Sequence, residues 1–225
     1  MRVIKKLLFP VLVLALTVGF GIFGWVNRQS YTDVTSQPDY LSQFAVAEMS
    51  ERHCVNACSE LETTLPEAPL ILRVTPVSEL VPEFGIFRFR FRVEEVYQGD
   101  AVAVGEEIWI ASESWDILIE QTGGRYVECG FVNLPQQGRE YLVFLSDRII
   151  QDDGRTICFF LEFEMVTQVP MFCYDAIPNT FITPDGVSTY VSYSEVAGNE
   201  FFATTQAGLD AMLELKKAML ERYPK

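Results

Sequence analysis

The first long pattern in the chain is a run of 20 residues, Leu7 to Val26, without a single charged side chain, set behind Arg2, Lys5 and Lys6. At about 1.5 Å per residue such a run makes about 30 Å of helix, the thickness of a bilayer core. A secretory signal peptide usually has a shorter apolar run, of roughly 7–15 residues, and small residues where it is cut. Here the run leaves through Phe23-Gly24-Trp25-Val26-Asn27-Arg28, with no A-x-A pattern, and Trp25 suits a membrane interface. No cysteine follows closely, which argues against a lipoprotein. Three positive charges before the run, against Arg28 after it, favour an N-terminus inside. Residues 1–26 are therefore expected to be a cytoplasmic tip and an uncleaved anchor, in preference to a signal peptide that would release a secreted chain. The expected address is the cell membrane, single-pass, with the bulk of the chain outside the cytoplasm.

Residues 27–66 read as an extracytoplasmic tether rich in loop formers: Ser30, Thr32, Thr35, Ser36 and Pro38. Tyr40 to Met49 has the pattern of a short helix, with Asp39 as its N-cap. From Leu70 the period changes to two. Phe87, Phe89, Phe91 and Val93 alternate with Arg88, Arg90 and Arg92, which predicts a strand with one buried face. The arginines raise the prospect of an anion site, although pairing with neighbouring carboxylates on the solvent face is the expected arrangement. Tyr97-Gln98-Gly99-Asp100 predicts a turn, Glu107–Ala111 a strand and Tyr141–Leu145 a buried strand. Asp152-Asp153-Gly154 predicts a hairpin, because Asp-Gly supplies the positive φ of a type I′ turn, and Ile157–Val166 is the returning strand. A further short strand is expected within Ser188–Ser194. Leu209, Met212, Leu213, Lys216, Met219 and Leu220 fall at helical spacing, giving a C-terminal helix over 205–222 capped by Thr204 or Thr205 and stopped by Pro224. The whole predicts a mainly β domain over 67–225, a small antiparallel barrel or sandwich followed by a helix.

Composition sharpens this picture. With 17 Lys and Arg against 31 Asp and Glu the chain carries −14. Its first 26 residues hold three of the bases and none of the acids, so the remaining 199 carry −17. Such acidity excludes a nucleic-acid partner, whose binders present basic surfaces. One histidine in the chain excludes sites built from several imidazoles.

Val93–Asp100, Gly105–Ile110, Ala111-Ser112-Glu113-Ser114, Cys129-Gly130, Gly138–Phe144, and Asp153-Gly154 followed by Cys158 together resemble the netrin-like module. That is the OB-fold shared with tissue inhibitors of metalloproteinases and with bacterial secreted proteins. The resemblance spans about Cys54 to Val169. It implies a five-stranded, OB-like antiparallel barrel closed by a C-terminal helix, with N-terminal cysteines pinned to the barrel. The inhibitors chelate the target zinc through the free amine of a first cysteine. Cys54 has 53 residues before it, and its spacing to Cys58 is wider than the inhibitors' Cys-x-Cys, so that mechanism does not carry over.

The five cysteines are Cys54, Cys58, Cys129, Cys158 and Cys173. Outside the cytoplasm they are expected in disulfides, with one left over. Cys129 is expected to bond Cys54 or Cys58, closing a loop of roughly 70 residues worth about 4 kcal/mol on a chain-entropy account. Cys173 is the candidate odd thiol, a Cys158–Cys173 bridge being the alternative. His53, Cys54 and Cys58 lack the spacing of common zinc sites, so neither a metal nor a cofactor is expected.

No G-x-S-x-G, H-E-x-x-H or phosphate-cradling loop is present, and no catalytic residue is assigned. Glu94-Glu95, Glu106-Glu107 and Asp152-Asp153 are sequence neighbours, which in a strand point to opposite faces. The reading is a membrane-anchored binding module for an envelope protein or glycan, with Trp115, Tyr126 and Phe131 as candidate ligand-binding aromatics. A hydrolase using an unrecognised carboxylate pair, or a protease inhibitor with a non-chelating mechanism, is the alternative.

Overall fold

The computed structural model describes residues 2–30, 42, 45–47, 51–83, 86–112, 117–121, 124–127, 133–150, 154–160, 171–181 and 190–225. The chain divides into two compact units, Met1–Tyr40 and Leu41–Lys225. In the first, the uncharged run and its basic flank form one helix, α1 (Arg2–Ser30), with Pro10 inside it. Its apolar side chains are uncovered: Phe20 is 72% exposed and Trp25 61%. The described side chains of α1 begin at Pro10 and omit Leu12. Over described residues, no helix is long and apolar enough to cross a membrane.

The second unit holds, in chain order, β1 (Ala45–Ala47), α2 (Glu51–Thr64), β2 (Leu70–Pro76), β3 (Val81–Glu83), β4 (Ile86–Gln98) and β5 (Glu107–Ser112). There follow β6 (Ile117–Gln121), β7 (Gly124–Val127), β8 (Tyr141–Ile150), β9 (Thr156–Phe160), β10 (Met171–Cys173) and β11 (Tyr190–Ser192). The last elements are α3 (Tyr193–Val196) and α4 (Gln206–Arg222). The main sheet is mixed and seven-stranded, in the order β10-β8-β2-β4-β5-β9 with β3 added on β4, and β8 also pairs β9. A second sheet has the order β11-β1-β7-β6.

This differs from a five-stranded antiparallel barrel in strand number and in direction, since β5 and β9 are parallel, Ile110 lying opposite Cys158. Strand parity explains the direction. β4 runs against β2 and β5 against β4, so β5 runs with β2. β8 runs against β2 and the hairpin turns β9 against β8, so β9 also runs with β2 and meets β5 in parallel. One edge of β8 is shared, its first residues facing β10 and its later ones β9.

The predicted alternation is realised from Phe89 to Val93, while Arg88 is itself buried. Phe89, Phe91 and Val93 are buried to 3% or less, and cross-strand neighbours Val74, Ile108 and Ile110 are fully buried with them. Two turns depend on glycine. Gly99 has φ +93°, and a Cβ there would lie 2.6 Å from the carbonyl oxygen of Pro69. Gly154 has φ +82° in the β8–β9 connection, while Asp152 and Asp153 lie outside the described residues.

Residues 27–66 are not a tether throughout. Cys54, Ala57, Cys58, Leu61 and Leu65 are buried at helical spacing, and α2 packs on α4. Ala45–Ala47 is a strand pairing β11 and β7, not part of a helix. The stretch expected as a strand to Ser194 ends as β11 at Ser192 and turns into α3. α4 begins as predicted, the Thr205 hydroxyl accepting from the Gly208 N–H at 3.2 Å.

Candidate functional site

The outer face of β4 carries Arg88, Arg90 and Arg92, because residues two apart share a face. Opposite Arg90 on β5 stands Trp109. Its ring is half-buried, with the Arg88 guanidinium 4.7 Å and the Arg90 guanidinium 5.8 Å from the ring centroid. Contacts of this kind are worth about 0.5–1 kcal/mol at exposed sites and more when desolvated. Arg88 is buried, whereas the Arg90 side chain is 43% exposed and pairs with Glu107 at 3.2 Å. Arg92 Nε donates to Glu94 at 2.9 Å. This face thus joins an aromatic plate to guanidinium planes, with Arg90 and Arg92 partnered by carboxylates as expected from sequence.

On β2, Arg73 bridges Glu140 at 2.6 Å and Glu95 at 3.0 Å, and Lys225 reaches Glu140 at 3.1 Å. Burial pushes the Glu140 carboxyl up, but hydrogen bonds from Arg73 and Lys225 outweigh it and hold the group below the usual carboxylate range. Nearby, the Tyr97 and Tyr174 hydroxyls lie 2.9 Å apart, and they donate to the carbonyls of Pro224 and Tyr223 at 2.6 and 2.8 Å. The Tyr223 ring lies 5.5 Å from Tyr97 and 5.9 Å from Phe144, so the end of α4 is clamped to the sheet.

A buried ion pair holds the other side. Lys216 Nζ lies 2.5 Å from Glu200, whose second oxygen accepts from the Cys173 N–H at 2.7 Å. Desolvation raises the Glu200 carboxyl, and the Lys216 charge offsets only part of that. Lys216 also donates to the Asp175 carbonyl and borders a groove of about 470 Å³ floored by Ile177, Leu213 and Leu220.

The carboxylate neighbours suggested by sequence are each engaged apart. Glu94 and Glu95 serve Arg92 and Arg73, Glu107 serves Arg90, and Glu106 accepts from the Ala103 N–H and the Thr156 hydroxyl. Asp152 and Asp153 lie outside the described residues, as do Trp115, Phe131 and Cys129. Tyr126 is on β7, opposite Ala45 of β1 and Leu118 of β6.

Among the described residues no disulfide joins Cys54, Cys58, Cys158 and Cys173. A Cys158–Cys173 bridge is excluded by register. Cys173 faces Tyr141 of β8 and Cys158 faces Arg148, seven residues apart along one strand. At about 3.4 Å per residue that is about 24 Å, far beyond the roughly 7 Å a disulfide spans. Among described residues no group of three or more His, Cys, Asp and Glu side chains is arranged to hold a metal ion.

Sequence reasoning missed Trp109 as the partner of the arginines, although alternation in Glu107–Ala111 places it outward. It had no signal for the Glu200–Lys216 pair, since salt bridges between separate elements leave no local pattern. No protein family matches the chain, and no curated protein matches it.

Proposed function

We propose that this protein is a membrane-anchored binding module that stands outside the cytoplasm and holds an envelope protein through the outer face of β4 and β5. The observation that carries the reading is the Trp109 ring with the Arg88 and Arg90 guanidiniums 4.7 and 5.8 Å from its centroid. Trp and Arg are the residue types that dominate interface hot spots, and a half-exposed indole with pre-stacked guanidiniums loses little freedom on binding. The engagement of Glu94, Glu95, Glu106 and Glu107 in separate contacts favours binding over hydrolysis.

The module is an OB-type barrel on this reading. Support comes from the succession of pairings β2–β4, β4–β5, β5–β9, β9–β8 and β8–β2, from the helix that follows, and from the netrin-like segments. The anchor is α1, supported by its 20 uncharged residues and its uncovered apolar side chains.

The test is cross-linking of the full-length chain in native envelopes, comparing wild type with Trp109→Ala. A partner joined to wild type should be lost by about 30-fold in the variant, the equivalent of a ~2 kcal/mol hot spot. Equal recovery by a folded variant would overturn the reading, and carbohydrate in the adduct would reassign the partner to a glycan.

A further inference from the structure

On α4 the stripe that packs inward includes Gly208, Met212, Leu215 and Met219, all buried. Leu213 and Leu220 belong to the apolar spacing of the helix but not to that stripe: Leu213 is 39% exposed and Leu220 is half-buried. With Lys216 and Lys217 they form one side of a groove of about 470 Å³, and Tyr174 to Ile177, just beyond β10, forms the other. This volume lies within the range of about 300–1,000 Å³ found for small-molecule sites. Single exposed leucines are ordinary on a protein surface. Here two of them flank an ammonium that is itself nearly buried, Lys216.

The charges around the groove are already matched. Glu200 takes the Lys216 charge at 2.5 Å, Arg139 meets the Asp175 carboxylate at 3.3 Å, and Lys217 meets Glu221 at 3.9 Å. What is not matched is a donor. A lysine ammonium has three N–H donors. Lys216 spends one on Glu200 and one on the Asp175 carbonyl at 3.1 Å, and among the described residues no third acceptor lies within reach. An apolar molecule that covered the groove without an acceptor would strand this donor, because the Lys216 side chain is only 12% exposed. A molecule with an oxygen at that point satisfies it.

We propose that this groove binds a single alkyl chain ended by an uncharged oxygen head, an ester carbonyl, with the chain on Ile177, Leu213 and Leu220 and the carbonyl accepting from Lys216 Nζ. Leu213 and Leu220 are separated by about 10 Å along the helix, which an extended chain of roughly eight carbons spans. Charge decides the head. A carboxylate there would sit beside the Glu200 carboxylate, and an amine head would sit beside the Lys216 ammonium. Either leaves one charge unmatched in a half-covered site, whereas a carbonyl adds none. The groove shares no residue with the face around Trp109, so it is tested separately from the reading above.

The experiment is photolabelling of the full-length protein in amphipol with a methyl octanoate that carries a diazirine on its chain, followed by peptide mass analysis. Label should fall on the segments Asp175–Ile177 and Leu213–Leu220. It should drop about tenfold in Leu213→Asp, at a site exposed enough to take the change. A similar drop is expected in Lys216→Met/Glu200→Gln, which replaces the ion pair by neutral groups of similar size and removes the donor. Val104→Gln, at an exposed position outside the groove, should leave the label unchanged. Each variant is checked for folding by circular dichroism. The matching free carboxylate and primary amine probes should label the groove about tenfold less than the ester. Absence of label from the groove in folded wild type, or label unchanged in either folded groove variant, would overturn the proposal. Equal labelling by the charged probes would overturn it as well, and that comparison needs no variant to fold.

Discussion

At the scale of single residues, two carboxylates respond to pH in opposite senses. The lowered Glu140 group gives stability that is present above the ordinary carboxylate range of about 4.3 and is lost as pH falls through its folded value. Glu200 is raised, so its contribution is greatest below that range and is lost as pH rises through its folded value. Urea midpoints between pH 3 and 8 should show Glu140→Gln flattening the acid limb and Glu200→Gln removing the decline on the other side. Lys216→Met should cost about 3–5 kcal/mol at pH 7, because it strands a buried charge, and should recover as pH falls and Glu200 takes a proton. Parallel profiles for wild type and both glutamine variants would contradict these assignments. None of this was legible in the sequence, where Glu200 and Lys216 are two charges 16 positions apart. Gly99 was legible, since Gln98-Gly99-Asp100 signals a turn by itself, but its second constraint, the approach of the Pro69 carbonyl, comes only with the fold.

At the scale of elements, β4 and β5 were readable because burial on one face imposes period two, and β8 as a buried apolar run, whereas the three-residue strands β3 and β10 are too short to carry a pattern. The helix α4 was readable for the analogous reason at period 3.6. α2 has an equally regular stripe, Cys54, Ala57, Cys58 and Leu61, yet cysteines invite a reading as disulfide partners and hide their role as apolar positions. Parallel pairing of β5 with β9 is a matter of topology, invisible to local pattern. The clamp at the end of α4 likewise joins residues 127 positions apart. Its strength is testable by equilibrium unfolding. Tyr97→Phe, which removes one hydrogen bond, should cost about 1 kcal/mol. Tyr223→Ala, which removes a buried ring packed on Tyr97 and Phe144, should cost about 3–5 kcal/mol. A loss below about 0.5 kcal/mol in Tyr223→Ala would show that the clamp does not hold the helix.

At the scale of the whole molecule, charge is distributed with a purpose. The chain is acidic at −14, and Arg73, Arg90 and Arg92 on the sheet each meet a carboxylate. Such exposed pairs contribute little stability individually, about 0–1 kcal/mol, but the Arg90–Glu107 pair orients the guanidinium that lies by Trp109. On the proposed reading, an anionic unit would be repelled by anionic headgroups. The central claim is that α1 stays in the membrane while the unit bearing Trp109 lies outside the cytoplasm. The most direct measurement is protease treatment of intact cells, or of spheroplasts where an outer membrane is present, followed by mass analysis of the alkali-resistant membrane fraction. The account predicts a membrane-retained fragment that contains Leu7–Val26 and lacks residues 67–225, and the full chain when protease is omitted. A mature N-terminus between Gly24 and Tyr31, or a globular unit protected until the cells are lysed, would contradict it.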